Sequence, residues 1–267
     1  METTEYLMEH DEEAFRLELK TSIHVVERQA LWAGLLPGMR VADIGCGPGK
    51  TTSVLRRLVA PQGAAVGIDL SQERINFART NYAEEGLKFV CRDVLESLED
   101  LGKFDFVWVR FFLEYFRTSA FKIVKNLTSI LNSGGILCLV DLDHNCLNHY
   151  GMSQRLERTM HALLQKLEDD ADFDPYVGRK LYSFLYDLGY GNINVDVSSH
   201  HLITGNLNDI DEVNWKKKVQ VASKKSGYDF LEYAGGFEEF EEEFDSFFRD
   251  PRRFTYTPVI CCRGKKP

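Results

Sequence analysis

The stretch Val41-Ala-Asp-Ile-Gly-Cys-Gly-Pro-Gly-Lys-Thr-Thr52 decides the fold of this chain. A short apolar run enters a turn with three glycines, and a helical pattern follows the turn. Glycines let a chain turn sharply and let a ligand lie against bare backbone. The spacing differs from G-x-G-x-x-G, whose third glycine would fall at Lys50, and it does not satisfy the phosphate-binding pattern G-x-x-x-x-G-K-[ST]. The turn therefore favours a nucleoside-like ligand without clear provision for a pyrophosphate.

Beyond this turn, apolar runs alternate with helical patterns. The runs that predict strands span residues 41–44, 65–68, 89–91, 104–109, 136–140, 193–197 and 257–262. Ser71 is a plausible N-cap for the helix after the second run, and Gly134-Gly135 is expected to stop the helix before the fifth. Continuous apolar strands alternating with helices predict a parallel sheet that is covered on both faces.

Three segments outside this rhythm read as helices, at residues 5–36, 145–170 and 209–250. The last ends in FEEFEEEFDSFF, which places its phenylalanines on one face and its acids on the other. We interpret this stripe as a packed helix with a solvated acidic back. The predicted organisation is a helical lead or lid over residues 1–38 and a sheet domain over 39–267, with helical insertions at about 145–175 and 205–250.

Composition restricts the classes of function. The chain has 267 residues, with 41 acidic against 32 basic side chains and a net charge of −9, which argues against a general affinity for nucleic acid. No stretch approaches the ~18 apolar residues of a membrane span. None of the six cysteines is spaced as C-x-x-C, so reduced thiols are expected. These features favour a cytoplasmic protein, as a monomer or homodimer.

Acidic residues follow three successive predicted strands. Asp43 lies at the end of the first, Asp69 ends the second and Asp93 follows the third. Ligands bind at the carboxyl ends of strands in an open parallel sheet. Asp69 lies 24 residues after Gly45, near the ~20-residue offset at which a carboxylate accepts hydrogen bonds from ribose hydroxyls. Asp93 is placed for an exocyclic amine, and Asp43 for a cationic ligand centre or for bracing the turn.

Five motifs in order resemble the class I S-adenosylmethionine-dependent methyltransferases. They are VADIGCGPG, GIDLS, CRDVLES, FDFVWVRFFLEYF and LNSGGILCLVDLD, and they cover roughly residues 39–143. The lead-in RLELKTSIHVVERQALWAGLLPGMRV and the segment DPYVGRKLYSFLYDLGY look like the small-molecule branch of these enzymes. The resemblance implies a Rossmann-like three-layer α/β/α sandwich. Its seven-stranded, mostly parallel sheet would have an antiparallel last strand, and helical insertions would form a lid.

The resemblance also implies the cofactor S-adenosyl-L-methionine, the product S-adenosyl-L-homocysteine and a small-molecule acceptor. By resemblance, the cofactor-binding residues are Asp43, Gly45, Cys46, Gly47, Gly49, Thr51, Asp69, Leu70, Asp93, Val94, Arg110 and Arg16. Acidic residues concentrate on the helical pieces, which favours a neutral or cationic acceptor. Tyr6, Tyr115 and Tyr150 are the candidates for contacting it.

Methyl transfer needs an aligned nucleophile, and positioning alone can supply roughly 7–11 kcal/mol of the barrier. A general base is needed only if the acceptor arrives protonated. His144 and Asp141, at the end of the fifth predicted strand, are the candidates. Arg110 ends the fourth strand, and its positive charge opposes a metal ion nearby, so no metal is expected.

Three other functions stay open. Nucleic-acid amino methyltransferases carry an [N/D]-P-P-[F/Y] run where this chain has Arg110-Phe-Phe-Leu113, which disfavours one kind of macromolecular acceptor. A protein or RNA methyltransferase remains the alternative enzyme. A nonenzymatic S-adenosylmethionine-binding interaction protein would have the same glycine turn and acids. The glycine spacing disfavours a nicotinamide oxidoreductase.

Overall fold

The computed structural model describes residues 21–267, which form one mixed eight-stranded sheet flanked by helices. The strands are β1 Arg40–Ile44, β2 Ala64–Asp69, β3 Leu87–Cys91, β4 Phe104–Arg110, β5 Leu131–Leu142, β6 His149–Tyr150, β7 Gly191–Thr204 and β8 Phe254–Lys265. The sheet runs β3-β2-β1-β4-β5-β8, and β7 pairs with the other edge of β8. Strands β1 to β5 are parallel, and β8 is antiparallel to its neighbours. The predicted fold class is confirmed.

Eight α-helices lie within the described residues. They are α1 Ile23–Ala33, α2 Lys50–Val59, α3 Gln72–Asn81, α4 Ala120–Ile130, α5 Gln154–Asp170, α6 Leu181–Asp187, α7 Asp209–Ser226 and α8 Gly236–Arg249. Ser71 caps α3 as predicted, because its side chain accepts a hydrogen bond from the Arg74 amide at 3.3 Å. None of these helices is long and apolar enough to cross a membrane.

Two details differ from the sequence prediction. The sheet has eight strands rather than seven, because the two residues of β6 pair with Phe254 and Thr255 at the start of β8, beyond the stretch that β5 covers. A two-residue strand has too few side chains for a detectable alternation. The glycines at 134 and 135 do not stop α4, which ends at Ile130. They lie inside β5, where the pairing with β4 shifts register.

Alternating strand residues build a separate apolar core on each face of the sheet. In β4, Val107 and Val109 pack with the α4 and α6 side, whereas Phe106 and Trp108 pack with the α1 and α2 side. Both faces are thereby covered, as expected for parallel strands made of continuous apolar runs. The carboxyl ends of β1, β2, β4 and β5 are left at one edge.

A third core lies in the helical cap, the name we use for α5, α7 and α8. The side chains of Trp215, Phe240 and Phe244 are almost fully buried there. The phenylalanine stripe of α8 packs inward as predicted, and Arg155 pairs with the outward acids Glu239 and Glu243, each at 2.7 Å. The cap core also takes in Ile203 of β7, which joins it to the β7–β8 end of the sheet.

Candidate functional site

The glycine turn after β1 is held as a bare backbone surface. Its three glycines have φ values of 68°, 55° and 98°, in the left-handed region that favours glycine. The amides of Gly45 and Cys46 both donate to the Ile68 carbonyl, at 2.8 and 3.0 Å. A Cβ on Gly45 would lie 2.3 Å from Cδ2 of Phe112, which follows β4. The turn is thus fixed against β2 and closely approached by the segment after β4.

Asp69, at the end of β2, is a well-satisfied carboxylate. It accepts hydrogen bonds from the Gly47 and Ser71 amides, both at 2.9 Å, and pairs with Arg74 at 3.2 Å. The next residue, Leu70, is 54% exposed although β2 is otherwise buried. An exposed leucine beside a buried carboxylate gives the strand end one apolar surface and one acceptor. Arg74 was missed by the sequence analysis, because an arginine on α3 carries no local signal.

Asp93, the acid that follows β3, accepts a hydrogen bond within its own loop. Oδ1 of Asp93 accepts a hydrogen bond from the Leu95 amide at 2.8 Å, which leaves the other carboxylate oxygen for a donor. Val94 is buried in the core beneath. These two residues lie where the sequence predicted them, one strand beyond Asp69.

Asp43, at the end of β1, is buried between two strands. It accepts a hydrogen bond from the Thr52 hydroxyl at 2.7 Å, and burial raises its pKa to about 7, against the lowering effect of that bond and of Arg110. Thr51, the predicted cofactor contact, precedes Thr52 on α2, and the Thr52 contact with Asp43 was not predicted. The inward spacing of Thr52, Leu55 and Val59 along α2 is the signal that would have identified it.

Arg110, at the end of β4, is a half-buried cation. Its Nε donates to Oε1 of Gln29 at 3.2 Å, and its guanidinium lies 3.9 Å from the Phe111 ring. Burial lowers its pKa to about 10, partly offset by the charges of Asp43 and Asp141. Within residues 21–267, no carboxylate comes within 4 Å of it. Gln29 is a polar residue on the buried stripe of α1, and this anomaly was a usable signal.

Asp141 lies on β5 and is almost fully buried. Its carboxylate accepts hydrogen bonds from the Leu113, Leu142 and Phe112 amides at 2.8, 2.9 and 3.2 Å. Burial raises its pKa, and the nearby charge of Glu114 raises it further. Glu114, also buried, accepts a hydrogen bond from Nδ2 of Asn145 at 2.7 Å. Asp141 therefore anchors the turn that follows β4.

The remaining candidates are dispersed. His144 follows β5, half-buried, with its ring centroid 5.2 Å from that of Tyr176. Tyr115 packs against Phe173 at the edge of the cap core, whereas Tyr150 in β6 is 75% exposed. Tyr6 and Arg16 lie outside the described residues.

Acids, histidines and cysteines do not form a metal-binding cluster in the described part of the chain. The six cysteines carry no disulfide.

Known proteins resemble this chain at the sequence level. A family model described as Methyltransferase domain matches residues 35–235. Protein-L-isoaspartate O-methyltransferase of Thermotoga maritima is 32% identical over 81 residues, which are 29% of this chain and 26% of that protein. Ubiquinone biosynthesis O-methyltransferase of Coxiella burnetii is 30% identical over 114 residues, 41% of this chain and 46% of that protein. The chain thus spans less than half the length of either relative.

The fold also occurs in a solved structure of Haemonchus contortus phosphoethanolamine N-methyltransferase 2 in complex with S-adenosyl-L-methionine. The TM-score is 0.58 at 14% identity, and the match covers 97% of this chain and 57% of that one. At this identity, the likeness concerns the fold alone.

Proposed function

Since the chain belongs to the class I S-adenosylmethionine-dependent methyltransferases, we propose that it transfers a methyl group in line to a small-molecule acceptor and releases S-adenosylhomocysteine. One observation carries this proposal. The bare glycine turn, Asp43 and Asp69 meet at the carboxyl ends of two neighbouring strands, with Arg110 on the third. The Coxiella burnetii relative supports a small acceptor by its name.

The residues at this edge fit the cofactor. We assign the methionine part to the glycine turn, the ribose to Asp69, the adenine face to the exposed Leu70 and the adenine edge to Asp93. Bound S-adenosylmethionine would supply an electrophilic methyl group on a positively charged sulfur. Asp43 suits such a ligand, because a carboxyl with a pKa of about 7 is readily driven to its charged form by a nearby positive charge.

Asp69 keeps an acceptor position for ribose. A carboxylate has about four acceptor positions. Oδ1 accepts from the Ser71 amide and from Arg74, whereas Oδ2 accepts from the Gly47 amide. We propose that the ribose hydroxyls donate to Oδ2, while Arg74 and the two amides keep the carboxylate in place.

Around the reacting atoms, this chain supplies orientation and proton handling. Asp141 holds the turn after β4 through the Phe112 and Leu113 amides. We propose that Tyr115 in this turn and Arg110 at the end of β4 face the acceptor. His144, at the end of β5, is the proposed base for an acceptor that arrives protonated.

Ligand titration tests the proposal. Isothermal calorimetry with S-adenosylmethionine, S-adenosylhomocysteine and NADH should show binding of the first two and none of the third. Binding of NADH alone would contradict it. Turnover is measured as release of S-adenosylhomocysteine when metabolite or protein fractions are supplied as acceptors. Release with protein only would favour the macromolecular alternative that the Thermotoga maritima relative suggests, and binding without release would favour a nonenzymatic role.

Asp69→Ala should weaken binding of S-adenosylmethionine by roughly 1.5–3 kcal/mol, because charged hydrogen bonds to the ribose are lost. Calorimetry on the folded variant measures this loss. Asp100→Ala is the matched control, since that carboxylate is exposed and forms a surface pair with Arg92. Unchanged affinity in Asp69→Ala would show that Asp69 is not the ribose ligand.

A further inference from the structure

A buried arginine beside the cap makes no side-chain hydrogen bond to any described residue. Arg253 precedes β8 and is only 2% exposed, yet Nε, Nη1 and Nη2 all lack an acceptor within residues 21–267. Its guanidinium lies 5.0 Å from the centroid of Phe248. Asp211 and Asp250 attract it from beyond 4 Å, and Asp250 is itself held by Arg252 at 2.6 Å. Native proteins rarely bury a guanidinium in this way.

A second cation points to the same region. Nζ of Lys218 on α7 lies 5.1 Å from the Trp215 ring, and 3.5 Å from Oδ1 of Asn145. In the described part of the chain, it has no carboxylate within 4 Å. Burial lowers the pKa of His149 to about 4, and the charges of Lys218 and Arg253 contribute to that lowering. Two positive charges without a bonded counter-ion thus act on one neutral histidine. We call Arg253 and Lys218, together with the neutral His149 on which both charges act, the cationic cluster.

Further polar atoms nearby lack partners. The Nε1 of Trp215 and the hydroxyl of Thr257 are buried and make no hydrogen bond to any described residue. The ring centroids of Trp215 and His149 are 5.1 Å apart. Thr257 and Thr255 of β8 and Arg253, just before it, are alternate residues and all buried, so they face the same side. Donors from the cap and from the sheet therefore meet in one region.

This region adjoins the proposed site of methyl transfer. Asn145 connects Lys218 to Glu114, which follows β4. The amide of Asp143 donates to the Pro258 carbonyl, which places the start of β8 beside the carboxyl end of β5. The cationic cluster is thus joined, through Asn145 and through the start of β8, to the strand ends where methyl transfer is proposed.

We propose that the cationic cluster binds an anionic group, a carboxylate or a phosphate, carried by the methyl acceptor. The proposal rests on the function proposed above and specifies its substrate class. An unpaired buried charge is costly, whereas an anion would form charge-assisted hydrogen bonds with Arg253. The clustered acids of the cap suggested a neutral or cationic acceptor. The acids on α8, such as Glu239 and Glu243, pair with Arg155 on the outer face of the cap. The negative net charge of the chain therefore does not give the sign of the charge inside the cap.

Binding of simple probes tests the cluster without knowledge of the acceptor. Sodium benzoate and inorganic phosphate should raise the melting temperature of the wild-type protein in a dose-dependent way, and neutral benzamide should not. A response to benzoate alone assigns a carboxylate, and a response to phosphate alone assigns a phosphate. Arg253→Met and Lys218→Met should each weaken the response roughly 10- to 100-fold in apparent affinity. Arg252→Met and Lys217→Met are matched controls, because Arg252 is 87% exposed and Lys217 neighbours Lys218 outside the cluster.

Turnover measurements distinguish a failure of this proposal from a failure of the proposed methyl transfer. A metabolite extract is divided by ion exchange, and S-adenosylhomocysteine release is measured for each fraction. Release from the anionic fraction, with KM raised in Arg253→Met and cofactor binding unchanged, supports the proposal. Release only from neutral or cationic fractions, or equal responses to benzoate and benzamide, overturns it while methyl transfer stands. Failure to bind S-adenosylmethionine would instead refute the proposed function. If Arg253→Met does not fold, Lys218→Met and the wild-type titrations decide.

Discussion

The acids at the carboxyl edge of the sheet and certain buried donors in and beside the cap differ in their hydrogen bonding. At the sheet edge, Asp69 and Asp141 accept hydrogen bonds from backbone amides, and Asp43 accepts one from Thr52. The side chain of Arg253, beside the cap, and the Nε1 of Trp215, within it, are also buried but make no hydrogen bond to the described residues. The acids are thus held in place in the free protein, whereas these donors are left without a partner.

This contrast suggests a division of labour. A site for an invariant cofactor gains from preorganisation, because its groups then need no rearrangement on binding. A site for the acceptor can leave donors unpaired, so that a ligand with the wrong groups is penalised by buried polar atoms that stay unsatisfied. The separate apolar cores of sheet and cap make this division testable by substitutions confined to one region.

The largest expected effect comes from truncating the cap core. Phe240 has no exposed surface and contacts Phe230 and Tyr233, so Phe240→Ala should destabilise the cap by roughly 3–5 kcal/mol. Hydrogen exchange should show faster opening of α5, α7 and α8, with S-adenosylmethionine affinity changed less than about threefold. Leu231→Ala, at a residue 88% exposed, is the control. If Phe240→Ala weakened S-adenosylmethionine binding as much as it destabilised the cap, cap and sheet would form one cooperative unit.

A smaller effect is expected at the glycine turn. A Cβ on Gly49 would lie 2.8 Å from Cβ of Ala78 and 2.9 Å from the Phe89 ring, at a φ of +98°. Gly49→Ala should therefore cost about 2–4 kcal/mol of unfolding free energy, from backbone strain and crowding together, and should weaken cofactor binding. Urea denaturation and calorimetry measure the two effects.

The sheet itself provides the control for this substitution. Gly134 also has a positive φ, of +74°, but a Cβ there would meet nothing within 4 Å. Gly134→Ala should then show the strain alone, about 1–2 kcal/mol, and leave cofactor binding unchanged. Equal costs at the two glycines would show that crowding against α3 and β3 contributes nothing.

The same contrast explains what the sequence could predict. The glycine turn and Asp69 belong to short motifs whose residues fix the local backbone and its hydrogen bonds, so the sequence alone located them. Thr52 and Gln29 left weaker signals in the burial stripes of their helices. The pairing of Arg74 with Asp69 and the contact of Lys218 with Asn145 depend on how separate elements pack. No local pattern encodes such distances, so these contacts needed the structure.

The smallest effect concerns the acid sensitivity of the cap. The pKa of His149 is lowered from 6.5 to about 4, chiefly by burial. Between these two pH values, His149 therefore binds a proton in the unfolded chain but not in the folded protein. The stability that this neutral histidine contributes is complete above about pH 6.5 and is lost as the pH falls toward 4. Between pH 7.5 and 5, the wild-type protein should lose roughly 1–2 kcal/mol more than His149→Gln. Denaturant titrations at both values measure the difference, and His161→Gln, an exposed histidine on α5, should behave like the wild type. Parallel pH slopes in wild type and His149→Gln would mean that His149 takes up a proton in the folded protein. The charges of Lys218 and Arg253 would then not lower its pKa.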